Sequence, residues 1–93
     1  MLDSRMTKSK VEAIVRDLQS LMPEGSKVSL GEGGHRSGVA YQSVRVLADS
    51  GNNDRAALLG VRYVTEAFRG AGGSLVATQV AGGHEIRVLL DLY

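Results

Sequence analysis

Two stretches of the chain are nearly identical: Val44–Asp49 reads VRVLAD, and Ile86–Asp91 reads IRVLLD. In both, apolar residues alternate in the way that is typical of a strand with one face on a core. A Gly-Gly-His triplet precedes each stretch, at residues 33–35 and 82–84, and an amphipathic segment precedes each triplet. The repetition predicts an internal duplication of one helix–strand–strand unit, which cannot bury its apolar face alone. Chance similarity is the alternative, because few positions match closely.

The first amphipathic segment predicts a helix. Between Val11 and Met22, apolar residues recur at intervals of three and four. Ser9 and Glu12 have the spacing of a capping box, in which both side chains satisfy backbone N–H groups at the helix start. Pro23 then ends the helix.

The second amphipathic segment predicts a helix that ends at Gly70, with this glycine as its C-cap. Gly60 lies in the middle of this helix at a cost of about 1 kcal/mol relative to alanine, so we expect another part of the fold to pack closely against it. The apolar residues assigned to its core-facing side are Leu58, Val61, Val64 and Phe68.

Four segments have strand character, and glycine-rich connections join them in pairs. Residues 31–38 read as a hairpin loop and residues 82–83 as a tight turn. Strands joined in this way are antiparallel, with the two repeated, most apolar strands preferred at the centre of the sheet. The predicted strands are Lys27–Leu30, Gly38–Asp49, Ser74–Ala81 and His84–Leu92.

The order of elements is therefore αββαββ. It predicts an α+β fold, a two-layer sandwich in which a four-stranded, mainly antiparallel sheet carries both helices on one face. Residues 1–93 form one domain in this interpretation, and residues 1–8 are expected to be flexible.

Composition narrows the function classes. The chain has 93 residues, a formal net charge of +1 and no cysteine. The charge balance lacks the basic excess of most nucleic-acid-binding domains, and no apolar run approaches the ~20 residues of a membrane span. Without cysteine there is no disulfide framework and no thiolate zinc site. With no apolar leader at the N-terminus, we expect a cytoplasmic protein with no membrane contact.

No catalytic, cofactor or metal motif emerges. The glycine-rich residues 31–38 match neither the dinucleotide fingerprint nor the P-loop. His35 and His84 hold matching repeat positions, but two imidazoles are too few for a closed zinc site. We therefore expect no enzyme activity, no cofactor and no metal. The same glycine segment is a candidate contact loop, with Gly33, Gly34, His35 and Arg36 as the residues concerned.

The sheet face away from the helices is the candidate protein interface. Leucines and a tyrosine in the middle of an open sheet face are a feature of interaction sites. Arginines and aspartates together make such a surface self-complementary, as a two-fold contact between identical chains requires. We also expect Leu75 or Ala77 on this face. The candidate interface residues are Tyr41, Arg45, Leu47, Arg87, Leu89 and Asp91.

The resulting hypothesis is a small, non-catalytic protein-interaction or regulatory module that forms a homodimer and binds a protein partner. The alternative is a weak nucleic-acid-binding protein that uses the open sheet face and the segment around Arg36, because RNA-binding sheets stack bases on exposed aromatic side chains.

Overall fold

The computed structural model describes residues 5–48, 54–80 and 83–91 of the chain. The element order αββαββ is confirmed. The elements are α1 (Lys8–Gln19), β1 (Ser26–Arg36), β2 (Val39–Ala48), α2 (Asp54–Gly70), β3 (Leu75–Val80) and β4 (Gly83–Leu89).

The strands form one four-stranded sheet in the order β1-β2-β4-β3, and all neighbours are antiparallel. The α+β class is confirmed, and so is the central position of β2 and β4, the two strands that contain most of the repeated sequence. The internal duplication stays a prediction. Among the described residues, neither helix has the length and hydrophobicity that a transmembrane span requires.

The core lies between the sheet and the two helices. Side chains from alternate positions of β2 and β4 are fully buried there, as the period-two pattern predicts. Both helices contribute one apolar stripe to the same cluster. Its most deeply buried members include Val44, Val46, Ile86 and Val88 from the sheet and Val11, Val15, Val64 and Phe68 from the helices.

The first helix begins two residues earlier than the capping-box spacing predicts. Thr7, in extended conformation, is the N-cap, and its Oγ1 accepts a hydrogen bond from the backbone N–H of Lys10 at 3.2 Å. Ser9 is therefore inside the helix. Met6, just before the cap, is buried in the core, whereas residues 1–4 lie outside the described ranges.

Gly60 is a point of close approach between α2 and the sheet, as its mid-helix position predicts. A Cβ at this position would lie 2.7 Å from Cγ1 of Val46 and 3.0 Å from Oγ of Ser26. This contact also corrects the predicted core face. Ala57 is buried while Leu58 is 57% exposed, because the helix turns its smallest residues toward the strands.

The end of α2 differs from the prediction in one detail. Gly70 is still helical, and the left-handed residue is Gly72, at φ 86°. The N–H of Gly72 donates to the carbonyl of Arg69 and the N–H of Gly73 donates to that of Phe68, which is the Schellman pattern.

The glycine-rich segment is a strand and not a loop, contrary to the sequence-based interpretation. Residues 31–36 continue β1, with a bulge between Leu30 and Gly33. The side-chain amide of Gln42 donates to the carbonyl of Gly31 at 2.8 Å and so holds the bulge to β2. Only Ser37 and Gly38 form the turn, both with positive φ. Likewise Gly83 belongs to β4 rather than to a turn, while Gly82 lies outside the described residues.

Candidate functional site: the open face of the sheet

The sheet has one face without helices, called the open face below. Its residues alternate with the buried ones on β2 and β4 and with the helix-side residues of β3. The register brings them into rows: Tyr41 lies opposite Leu89, Ser43 opposite Arg87, and Val76 on the other side of Arg87. The open face therefore combines apolar, cationic and hydroxyl side chains at the centre of the fold.

A connected set of polar side chains lies in the middle of this face. Arg87 Nε donates to Glu85 Oε1 at 2.9 Å, and Ser43 Oγ donates to the same oxygen at 3.0 Å. The Arg87 guanidinium also lies over the ring of Tyr41, with its carbon 5.0 Å from the ring centroid, which is within the range of a cation–π contact. These contacts hold the arginine in one orientation across two strands.

The carboxylate of this set is stabilised in its charged form. The hydrogen bond from Arg87 and then that from Ser43 hold the pKa of Glu85 below its ordinary value, against a smaller opposing effect of desolvation. The same ion pair raises the pKa of Arg87. Both groups are therefore ionised near neutral pH, and the pair cancels its own charge.

Beside this polar set lies a shallow groove of about 360 Å³. Val39 and Val76 are 43% and 51% exposed there, so the groove presents apolar surface to solvent. The groove is lined by Ser37, Val39, Tyr41, Val76, Arg87 and Leu89. Three of the residues predicted from the sequence, Tyr41, Arg87 and Leu89, meet in it.

The remaining predicted interface residues are distributed differently. Arg45 and Leu47 lie further along β2, with Arg45 exposed and Leu47 half-buried. Asp91 has a local partner, because its Oδ2 accepts the backbone N–H of Met6 at 2.8 Å. Its own N–H donates to the carbonyl of Met6, so Asp91 attaches the segment before α1 to the end of β4.

One prediction for this face is wrong. Leu75 and Ala77 lie opposite Val88 and Ile86 and therefore on the helix side, which leaves Val76 on the open face. The short β3 sequence has no clear alternation from which the side could be read. Glu85 and Ser43 were also missed as members of the polar set around Arg87. Glu85 lies two positions before Arg87 on β4, so the alternation already places the two side chains on one face. Ser43 lies on β2, and its contact with Glu85 depends on a register that the sequence does not show.

The candidate contact loop is placed within the sheet. Gly33 and Gly34 pair with Gln42 and Tyr41, and the backbone of Arg36 ends β1. A Cβ at Gly34 would lie 3.0 Å from Oη of Tyr41, so the tyrosine side chain packs against this glycine. The segment therefore supports the open face rather than forming a separate loop.

The two histidines lie at opposite ends of the sheet. His35 pairs with Ala40 and His84 pairs with Val46, and these two β2 residues are about 20 Å apart along the strand. Among the described residues, no group of three or more His, Asp or Glu side chains has the arrangement of a metal site.

A second exposed apolar strip lies on α2, on the other side of the molecule. Leu58 is 57% exposed, and Leu59 and Tyr63 are 42% exposed. None of these three residues lines the groove of the open face. It offers a useful control surface for experiments on the open face.

Comparison of the chain with protein families, with curated proteins and with solved structures finds no match.

Proposed function

We propose that this chain is a small, non-catalytic protein-interaction module that binds a partner protein through the open face of its sheet. The observation that carries the proposal is the apolar groove between Val39, Val76 and Leu89, with the Arg87 guanidinium fixed at its side. Exposed apolar surface that surrounds an oriented arginine is the usual composition of an interaction hot spot.

The chemistry of the face indicates the chemistry of the partner. The groove accepts an apolar side chain, and its volume suits one or two such groups. Arg45 is exposed on the same face, whereas Arg87 is neutralised by Glu85. We therefore expect a partner that presents an apolar side chain next to a carboxylate, which would pair with Arg45.

The proposal includes self-association of the chain into a homodimer in the cytoplasm. The cytoplasmic location stays a prediction. Light scattering after size exclusion, over a dilution series, measures the self-association directly. A dimer has about twice the 9.9 kDa mass of the chain.

The partner-binding part is tested in two steps. A photo-crosslinking amino acid at Val76 captures the partner in cells, and the same amino acid at the exposed Ala13 on α1 controls for non-specific capture. The captured protein is then purified and titrated against the chain. We expect Leu89→Asp to weaken binding at least about tenfold, because it puts a charge into the groove.

The matched control is Leu59→Asp, which places the same charge on the exposed strip of α2. We expect this variant to bind the purified partner like the unmodified chain. If Leu59→Asp abolishes binding while Leu89→Asp does not, the open face is not the binding surface. Circular dichroism and a thermal melt confirm that both variants fold.

The alternative function, weak nucleic-acid binding, is favoured by one observation: Tyr41, Arg45 and Arg87 share the open face. Phosphate contacts would make binding fall steeply with salt and fall again in Arg45→Ala. Titration of fluorescent single-stranded oligonucleotides at about 50 mM salt tests this function. An unchanged signal over the titration would contradict it.

A further inference from the structure

The outer edge of β3 is the least protected part of the sheet. The N–H of Leu89 donates to the carbonyl of Ser74 at 3.0 Å, so Ser74 faces β4 in the ladder. In an antiparallel pair, backbone groups alternate in direction along the strand. The N–H and C=O groups of Leu75, Ala77 and Gln79 therefore point outward, where the described part of the sheet has no further strand.

The sequence of β3 lacks the residues that normally prevent another strand from pairing with a sheet edge. The strand reads LVATQV and contains no charged residue, no proline and no glycine. Its pairing with β4 has no bulge. Proteins ordinarily protect an exposed edge with charges, proline or a bulge, so an unprotected edge is a ready template for another strand.

The opposite edge of the sheet, at β1, shows what protection looks like in this fold. β1 carries a bulge between Leu30 and Gly33, and Lys27 and Glu32 are charged. The side-chain amide of Gln19 donates to the carbonyl of Val28 at 3.5 Å, so α1 covers an outward backbone group. A second strand would have to displace these contacts.

The helix layer leaves room beside β3. Ala77 and Gln79 lie on the helix side of the sheet, yet both are exposed. The helices therefore do not cover this edge. A second molecule could approach β3 without a clash between its own helix layer and that of the first.

We propose that β3 pairs antiparallel with β3 of a second copy of this chain, about a two-fold axis at Ala77. A strand always matches itself in length, and the absence of charge removes like-charge repulsion between the copies. In this register Ala77 lies opposite its own copy, and Leu75 lies opposite Gln79. The outward groups then form about six main-chain hydrogen bonds.

The open-face side chains fit the same register. Val76 of one copy lies opposite Thr78 of the other, a pair of β-branched residues that suits adjacent strands. The two sheets become continuous, with all helices on one side, because the axis is perpendicular to the sheet. The inference deepens the self-association part of the proposed function and leaves the open face accessible to a partner.

The first test is Ala77→Pro, which removes an outward N–H without removing a bond to β4. Its matched control is Leu30→Pro at the β1 edge, where the pairing of Leu30 with Val44 also leaves the N–H outward. We expect Ala77→Pro to be monomeric at concentrations at which the unmodified chain and Leu30→Pro are dimeric. Dimers of Ala77→Pro in light scattering would overturn the proposal.

A charge pair tests the register and does not depend on the proline variant being folded. Ala77→Lys and Ala77→Glu each place like charges opposite each other in the dimer, so each variant alone is expected to be monomeric. An equimolar mixture is expected to restore the dimer. A mixture that stays monomeric would contradict the two-fold at Ala77.

Amide hydrogen exchange by NMR gives a third readout on the unmodified chain. We expect exchange at Leu75, Ala77 and Gln79 to slow by about tenfold or more between dilute and concentrated samples, and exchange at Leu30 to stay fast. A monomer at all concentrations would overturn the edge pairing but leave partner binding by the open face intact. If Leu89→Asp loses partner binding but keeps the dimer mass in light scattering, two assignments are supported independently. The open face then binds the partner, and the β3 edge mediates self-association.

Discussion

The hairpins β1–β2 and β3–β4 hold equivalent places in the two αββ units, but their outer strands are protected differently. β1 has 11 residues and a bulge, and side-chain amides bind its carbonyl groups at Gly31 and Val28. β3 has 6 residues and no such contact among the described residues. The difference shows that the order of elements does not determine the chemistry of a sheet edge, which depends on individual side chains.

The helix layer follows the same asymmetry. Gly60 brings α2 into close contact with Val46 of β2 and Ser26 at the start of β1. The β1–β2 half is thereby covered on its helix side, while Ala77 and Gln79 of β3 are exposed. The helices therefore cover the start of β1, where Ser26 and Val28 are buried, more completely than they cover β3.

The largest effect is expected from Gly60→Val, which breaks the close contact on the protected side. The site has no room for even one added carbon, so overpacking should lower the free energy of unfolding by about 3 kcal/mol. Gly70→Val is the control, because a Cβ there meets nothing within 4 Å. We expect it to change the free energy by less than about 0.5 kcal/mol. Urea denaturation of both variants measures the difference, and equal losses would contradict the argument.

The next effect is expected from Gln42→Ala, which removes the clamp on the β1 bulge. Gln42 is buried, and its amide donates to the carbonyls of Gly31 and Ser43 at 2.8 and 3.0 Å. Leaving these carbonyls unsatisfied should cost about 2 kcal/mol. Gln79→Ala, on exposed β3, should cost less than about 0.5 kcal/mol. The same denaturation experiment distinguishes the two glutamines, and comparable costs would mean that the bulge is not clamped by Gln42.

A smaller effect, of opposite sign, is expected from Ser37→Asn in the β1–β2 turn. Ser37 has a φ of 54° and Gly38 a φ of 80°, the positive values of a type I′ turn. Asparagine adopts this conformation more readily than serine, so the variant should raise the free energy of unfolding by about 1 kcal/mol. A lower melting temperature would contradict this assignment of the turn.

The smallest effect is expected from Glu85→Gln on the open face, and it depends on pH. Because the pKa of Glu85 is lower in the folded chain than its ordinary value of 4.5, the carboxylate stabilises the fold above that value. This contribution is lost as the pH falls through the lowered pKa. The pair is partly exposed, so its contribution at pH 7 is small.

Thermal melts between pH 2 and pH 7 provide the measurement. We expect the unmodified chain to lose slightly more stability on acidification than Glu85→Gln does. Parallel curves for the two proteins would show that the ion pair with Arg87 contributes nothing measurable. Glu66→Gln, in the exposed pair with Arg62 on α2, is the matched control.

Much of the fold could be predicted because the repeated strands are strongly patterned. The alternation around Val44 and Ile86 identifies the central strands, and a mid-helix glycine at position 60 identifies a close contact. The glycine-rich end of β1 could not be predicted in the same way. Glycine favours loops on local grounds, and the clamp from Gln42 that keeps residues 31–36 in the sheet comes from the neighbouring strand.

Part of the candidate site could also be predicted from the alternation of residues along the central strands. Tyr41, Arg87 and Leu89 belong to patterned strands, so their common face follows from the period of two. Val76 belongs to a short strand without clear alternation, and its side is decided by its pairing with Arg87. The alternation that runs along β4 assigns Asp91 to the open face as well, yet its carboxylate accepts a hydrogen bond from the backbone N–H of Met6.

The sequence by itself determined the class of fold and the order of the elements, and it favoured a central position for the two most apolar strands. Hydrophobic periodicity is a local property that burial enforces, so these features can be read from the sequence. Only the tertiary structure decided the register, the bulge in β1 and the unprotected edge of β3. These features arise from contacts between residues that are distant along the chain, and no local pattern encodes which side chain will meet which carbonyl group.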